Sequence, residues 1–249
     1  MIPILWLPAV DSTNAEARRR AQAGEDGPLW IAAQRQTDGR GRRGRAWSTA
    51  DGNLAATRLG VTDKSPAEAA GVSFVAALAV AELADAYVPS ALVSLKWPND
   101  VLLAGAKLSG ILVESGARPS GGLWVAVGIG VNLASAPADV ERPAAALADH
   151  LRPDRLAPPT PQEALALLAQ AFDRWLCLWG RGGLPLILDA WTGRSTSIPG
   201  PCLARLPNET VEGWAEGVDS EGRLRLRLAD GSVRLIAAGD VFFPGGPDA

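Results

Sequence analysis

The sequence predicts an α+β fold: a mixed, mostly antiparallel sheet with flanking helices, followed by a small barrel-like unit of short strands. Three observations predict it. Three helix starts with capping signatures, "STNAE", "SPAE" and "TPQE", are separated by short apolar runs of strand length. The two kinds of segment do not follow a strict βαβαβ rhythm, which argues against a parallel sheet. From about Gly200 the texture changes to period-two alternation in "RLRLRLADGSVRLI", the spacing of half-buried strands. The 249 residues, 47% of them hydrophobic, suit one large domain and one small one, expected at residues 1–198 and 199–249.

Taken in order, Thr13 stands three residues before Glu16, a capping-box spacing that opens a helix through "AEARRRAQA". "LWIAAQRQ" reads as a strand. Ser65 is the N-cap, Pro66 the first helical residue and Glu68 the reciprocal cap of a long apolar helix reaching about Tyr87. "LVSLKW" is the next strand, and "GILVES" and "LWVAVGIGVNL" pair through the turn "GARPSGG". The Pro- and Ala-rich stretch from Ala134 to Pro161 is a surface connection with one short helix. Thr160, Pro161 and Glu163 repeat the capping device, and their helix runs to about Trp179. "CLARL" and "TVEGWAEGV" precede the alternating segment. There Leu224, Leu226 and Leu228 face one way and Arg223, Arg225 and Arg227 the other, with Asp230-Gly231 marking a hairpin turn.

Composition removes several function classes. No run of about 20 apolar residues is present. The longest candidate, "VSFVAALAVAELADAYV", is interrupted by Glu82 and Asp85 and reads as a buried helix. The N-terminus lacks the basic and apolar regions of a signal peptide, so the cytoplasm is the expected compartment. Cys177 and Cys202 have no metal-ligand spacing, and Cys177, inside an apolar helical pattern, is expected to be a buried, inert thiol. His150 is the single histidine. A Ser-His-Asp triad, a Cys-His pair or a His-rich zinc site would each need it, and no G-x-S-x-G accompanies it. The chemistry therefore falls to Arg, Lys, Asp and backbone amides.

The stretch "QTDGRGRRGRAW", Gln36 to Trp47, concentrates cationic groups. From Arg35 to Arg45 the chain holds five arginines and one aspartate, a local charge of +4 in a protein of net charge −3. Glycine lets backbone amides approach a ligand, and arginine offers forked donors to phosphate or carboxylate. A solvated charged loop and a nucleic-acid patch are the alternatives; the second is weakened by the acidic balance of the chain. With no apolar anchor inside it, the loop is expected to be mobile until an anion orders it. In "KWPNDVLLAGAKLSGILVES", a hairpin brings Lys96 and Lys107 near one another, and lysines at strand ends are rarely buried without an anion. Asn99 and Asp100 follow Pro98: turn chemistry on one reading, a proton or metal ligand at Asp100 on the other. Gly110 allows close backbone approach beside Lys107. "GIGVN", Gly128 to Asn132, ends a strand, and "DSTN" starts a helix whose N-terminus could receive polar ligand groups.

Together, in this order, these segments resemble the biotin protein ligases: "STN" at 12, "GRGRRGRAW" at 39, "KWPND" at 96, "KLSGIL" at 107 and "GIGVN" at 128. The resemblance covers about residues 4 to 245. It implies a class II synthetase or biotin–lipoate ligase-like sheet with an SH3-like C-terminal barrel. It also implies a two-step reaction using biotin, ATP and Mg²⁺: biotinyl-5′-AMP forms with release of pyrophosphate, then a lysine of a biotin carboxyl carrier domain is acylated. By resemblance, Ser12, Thr13, Asn14 and Gln36 bind the biotin head group. Gly39, Arg40, Gly41 and Arg42, with Lys107 and Gly110, hold its carboxylate. Arg40, Arg42, Arg43, Trp47, Lys96, Asn99 and Asn132 bind ATP, Trp47 and Asn132 at the adenine. Lys107, Arg42 and Asp100 are the catalytic set, Asp100 as base or magnesium organiser. A winged helix-turn-helix, present in many bacterial members, has no room before these motifs, so neither DNA nor a membrane is an expected partner, while monomer and homodimer both stay open. A lipoate or octanoyl ligase is the nearest rival and lacks G-R-G-R-x-G and K-W-P-N-D; a non-catalytic RNA or DNA binder is the rival from another class.

Overall fold

The computed structural model describes residues 2–138 and 143–243. Its main sheet has seven strands: β1 (Ile4–Leu7), β2 (Leu29–Ala33), β3 (Leu54–Thr62), β4 (Val93–Lys96), β5 (Asp100–Leu103), β6 (Ala106–Ala117) and β7 (Leu123–Val131). Their order is β1-β2-β3-β7-β6-β5-β4. Every neighbouring pair is antiparallel except β1 and β2. Parallel neighbours need a crossover, and α1 (Thr13–Gln22) supplies it. The mixed, mostly antiparallel sheet is thus as expected, but β1 and β3 lie in stretches the sequence reading leaves without a strand. In β3, "LAATRLGVT", two alanines, an arginine and a glycine weaken the β signal, and pairing on both sides overrides it.

Alternation along the strands sorts side chains to two faces. Trp30, Leu54, Ala56, Val127 and Ile129 join the core under α3 (Val72–Asp85) and α4 (Pro161–Thr192), while Leu29, Ile31, Leu59, Trp124 and Ala126 pack with α1. α3 is buried nearly all round, which accounts for its uniform apolarity. The long helix expected from Ser65 starts only at Val72. The expected box forms, Ser65 accepting from the Glu68 amide and Glu68 from the Ser65 amide, but it caps a separate short helix, α2 (Pro66–Ala69). Thr160 and Glu163 repeat it at α4.

Three further expectations need correction. The α1 N-cap is Ser12, with no side-chain cap bond, and Thr13 is already helical, its hydroxyl directed to Gln36 instead of the first turn. α4 does not stop near Trp179. It continues to Thr192 through a break at Gly183 (φ 75°), two residues before Pro185. Cys177 is exposed, not buried. It lies five residues past the buried Phe172, ~140° further round at ~100° per residue, and so on the outer face.

The C-terminal unit is a five-stranded antiparallel sheet, β8 (Gly200–Arg205), β9 (Thr210–Val218), β10 (Leu224–Arg227), β11 (Val233–Ile236) and β12 (Asp240–Phe242), ordered β11-β10-β9-β8-β12. Leu224 and Leu226 point inward as expected, and Arg225 and Arg227 outward onto Glu216. Its inner residues are continuous with the main core, so the small sheet is docked instead of free-standing. Trp97 Nε1 donates to the Gly222 carbonyl at 2.9 Å. Gly222 (φ 79°) rests on Phe74, where a Cβ would stand 2.5 Å from the ring.

Within this sheet Cys202 is buried, and burial pushes its thiol up to about 11. Native protein treated with iodoacetamide near pH ~8 is therefore expected to be alkylated at Cys177 alone. Modification of Cys202 before unfolding, read by peptide mass, would contradict that. His150 ends a short 3₁₀ turn, Leu147–His150, the one helix expected in the Pro- and Ala-rich connection; residues 139–142 of that connection lie outside the described residues.

Candidate active site

The α1 face of the sheet opens into a cavity of ≈ 630 Å³, within the ~300–1,000 Å³ of small-ligand sites. Its floor is a row of glycines on adjacent strands, Gly110 on β6 opposite Gly130 on β7, with Gly128 two residues back. Each is needed for space. A Cβ on Gly128 would stand 2.2 Å from Asn14 Oδ1, one on Gly130 2.3 Å from the Trp47 indole, and one on Gly110 3.1 Å from Trp47 Cζ3. "GIGVN" ends β7 as expected, and its glycines also let an amide and an indole lie on the sheet.

One end of the cavity is polar and uncharged. Ser12, Thr13 and Asn14 are each at most 4% exposed, although none is apolar. The Thr13 amide donates to Gln36 Oε1 at 2.8 Å, and Gln36 Nε2 donates to Thr49. Asn14 Nδ2 donates to Glu114 Oε2 at 2.8 Å and to the Leu112 carbonyl at 3.2 Å. The Thr57 hydroxyl lies 2.7 Å from Asn14 Oδ1 and 2.8 Å from the Thr13 hydroxyl. Buried polar groups hold one orientation only when partnered, so Thr57 and Glu114 fix the Asn14 amide. Neither is signalled by a local motif: Thr57 sits in β3, whose β pattern is weak, and Glu114 near the end of the long strand β6.

The other end is cationic. The arginine loop is a pinched turn, with the Gly41 amide donating to Arg45 O at 2.7 Å and the Trp47 amide to Gly39 O at 2.8 Å. A Cβ on Gly39 would lie 2.3 Å from Trp47 O, so the pinch requires glycine there. Arg43 (φ 56°) and Gly44 (φ 72°) turn the chain back through left-handed backbone. Arg42 points inward, Nη1 donating to Asn99 Oδ1 at 3.1 Å, and Asn99 Nδ2 donates to the Ile111 carbonyl. Burial pushes the Arg42 guanidinium down from its usual range. Arg40 pairs with Asp38 on the exposed side. Arg43 and Arg45 both reach Asp240 at the start of β12, Arg43 at 3.0 Å. Loop and C-terminal sheet are therefore tied, a contact that nothing in the motif spacing announces.

Between the two ends stands Lys107, its Nζ 2.6 Å from Asp100 Oδ1. Strand parity alone would place residue 107 with Ser109 on the helix side. The β5–β6 register skips Leu108, pairing Val101 with Ser109 but Leu102 with Lys107. This bulge returns Lys107 to the cavity face; bulges next to sites re-aim side chains in this way. Its ammonium also lies 5.9 Å from the Trp47 ring centroid. Asn132 has its Nδ2 engaged by the Lys107 and Ala145 carbonyls.

Of the residues expected here, Ser12, Thr13, Asn14, Gln36, Arg40, Gly41, Arg42, Trp47, Asn99, Asp100, Lys107, Gly110 and Asn132 line the cavity, while Gly39, Arg43 and Lys96 do not. Gly39 shapes the loop from behind. Lys96 is buried at the end of β4, where its charge reaches the Cys202 thiol of the C-terminal sheet. Among the described residues no cluster of three or more His, Cys, Asp or Glu side chains could cage a metal. Asp100 and Asp240 are the carboxylates in the cavity lining, oxygen donors of the kind magnesium takes.

A neutral polar pocket leading past a lysine into an arginine-lined one fits a ligase that activates an organic acid with a nucleotide. Residues 6–132 match the biotin/lipoate A/B protein ligase family, and residues 201–243 the biotin protein ligase C-terminal domain. The biotin–[acetyl-CoA-carboxylase] ligase of Paracoccus denitrificans is 43% identical over 96% of this chain and 100% of its own length. That of Mycobacterium tuberculosis is 35% identical over 92% and 85%. The biotin protein ligase of Aquifex aeolicus, solved with biotin and ATP, superposes with a TM-score of 0.77 at 22% identity, over 97% of this chain and 99% of its own. The chain belongs to the biotin protein ligases of the biotin/lipoate A/B protein ligase family.

Proposed function

We propose that the protein activates biotin with ATP and transfers it, through the sites assigned below, to a lysine of the biotin carboxyl carrier domain of a carboxylase. One observation carries the assignment: Lys107, Asp100 and the Arg42–Asn99 pair meet where the neutral end of the cavity joins the cationic end. The biotin ureido group has one acceptor and two donors; Ser12, Thr13, Asn14 and Gln36 match it without net charge. The carboxylate then points to Lys107, and attack on the α-phosphate of ATP expels pyrophosphate. Lys107, Arg42 and Arg40 hold the developing charge, which is where fixed donors lower a barrier most. Magnesium, when bound, neutralises phosphate charge. Trp47 offers its face to adenine, and Asn132 Oδ1 accepts from the adenine edge. In the second step the carrier amine attacks the anhydride carbonyl, and AMP leaves. No enzyme nucleophile is used, in keeping with a cavity lined by no histidine. Residues 1–198 act as the catalytic domain and 199–249 as the barrel. Dependence on ATP puts the reaction in the cytoplasm, and a net charge of −3 argues for a ligase without a DNA-binding role.

The direct test is ATP–pyrophosphate exchange, expected to depend on biotin and to ignore lipoate and nucleic acid. Exchange driven by lipoate would move the assignment to the lipoate branch, and exchange indifferent to both acids would end it.

Asp100 separates two roles. Lys107 occupies its Oδ1, which leaves Oδ2 for the carrier ammonium, a group almost fully protonated at neutral pH with an ordinary pKa of about 10.4. Asp100→Asn is expected to leave adenylate formation within about threefold of normal and to slow transfer by ~10²-fold, the scale of losing a general base. Single-turnover rates of the two steps decide. A fall in adenylation that added magnesium restores would instead make Asp100 a magnesium organiser, and normal rates in both steps remove it from the mechanism.

A further inference from the structure

Arg58 is a cation in a place where a fold needs none. It lies on β3 one residue from Thr57, so its side chain leaves the opposite face of the sheet, toward α4 and away from the catalytic cavity. Only 8% of it is exposed. Of its five donors, Nη1 bonds the Leu59 carbonyl, Nε has no partner, and Nη2 stands 3.9 Å from Asp173 Oδ1, beyond hydrogen-bond distance. Burial works against the charge of Arg58 and also pushes the Asp173 carboxyl up from its usual range, so the pair is poorly matched as a structural ion pair. Unsatisfied buried donors are costly, and methionine or leucine would fill the position better if stability alone mattered.

What adjoins Arg58 is a second cavity of ≈ 380 Å³ between β3, β7 and the helices. Its walls are apolar, formed by Val72, Val125, Val127, Phe172, Leu176 and Trp179. At the rim Lys64 Nζ lies 5.2 Å from the Trp179 ring centroid. Asp26, also at the rim, is engaged by Arg118 at 3.0 Å. The site thus combines a buried guanidinium with spare donors, a second cation at the mouth and an apolar trough.

We propose that this cavity is a second ligand site, separate from the catalytic one, for an amphipathic carboxylate: the anionic head on Arg58, the alkyl or aryl tail along Phe172, Leu176 and Trp179. Guanidinium and carboxylate match as a two-donor fork, and the apolar trough rewards a tail with the burial of its surface.

Decanoate is the probe, titrated calorimetrically into the full chain. Saturable one-to-one binding is expected at a Kd of ~1 mM or below, unchanged when biotin and ATP fill the catalytic cavity. Acetate, a head without a tail, is expected to give no saturable heat. Gly180 lines the same cavity on α4 at an exposed position, and a Cβ there meets nothing within 4 Å, so Gly180→Leu adds apolar bulk at the edge of the trough while improving the helix. Decanoate binding should weaken at least ~10-fold in Gly180→Leu and in Arg58→Met. Absence of saturable binding, displacement by biotin, or full affinity in a folded Gly180→Leu protein would overturn the proposal, even if Arg58→Met fails to fold.

Discussion

Lys107→Ala is expected to slow biotin-dependent ATP–pyrophosphate exchange by ~100-fold or more, the scale of removing one preorganised transition-state donor. The expectation rests on position. A skipped residue in the β5–β6 register delivers the ammonium to the cavity, and Asp100 holds it there at 2.6 Å. The variant also strands Asp100, whose side chain is 12% exposed. Losing the partner of a largely buried carboxylate costs ~1–3 kcal/mol, so a modest fall in Tm should accompany the kinetic loss without unfolding the chain. Circular dichroism and Tm separate the two effects. A folded Lys107→Ala protein with near-normal exchange would falsify the role given to Lys107.

Gly130→Val should raise the Kd for ATP by ~10- to 100-fold and leave biotin binding close to normal. A Cβ at this position would stand 2.3 Å from the Trp47 indole, so the ring must leave the floor of the cavity. Stacking of a base on an aromatic face is worth ~1–3 kcal/mol, which sets the size of the loss. Gly128→Ala is the complementary change. Its Cβ would stand 2.2 Å from Asn14 Oδ1, at the uncharged end, so biotin affinity should fall and ATP affinity should not. Titration calorimetry with each ligand reads both. If the two variants lose both ligands equally, the division of the cavity into biotin and nucleotide ends is wrong.

Much of the site was legible because chemistry clusters in short local segments. The arginine loop, "KWPND" and "KLSGIL" bring most of their members to one cavity, and the capping boxes at Ser65 and Thr160 formed as read. What escaped depends on tertiary pairing. Strand β3 has a weak local signal, and with it Thr57, the group that orients Asn14, and Arg58 on the reverse face. Lys96 looked equivalent to Lys107 by spacing, and it shares the cavity face through its pairing with Asp100, yet only Lys107 lines the cavity: Lys96 is buried next to the C-terminal sheet, a cover that no local pattern announces. Asp240 lies 195 residues beyond Arg45, and no local pattern ties so distant a carboxylate to the loop. Cys177 failed for a simpler reason: an apolar helical stretch has an outer face too.

The clasp between Asp240 and the loop arginines has a consequence for the order in which the protein becomes competent. Synthesis runs from the N-terminus, so the loop at Arg40–Arg45 is made early and its anchoring carboxylate belongs to the last strand described. A chain still lacking β12 lacks the edge strand of the small sheet that pairs with β8. It leaves Arg43 and Arg45 without Asp240. The nucleotide end therefore draws its anchor from the last strand described, synthesised long after the loop itself.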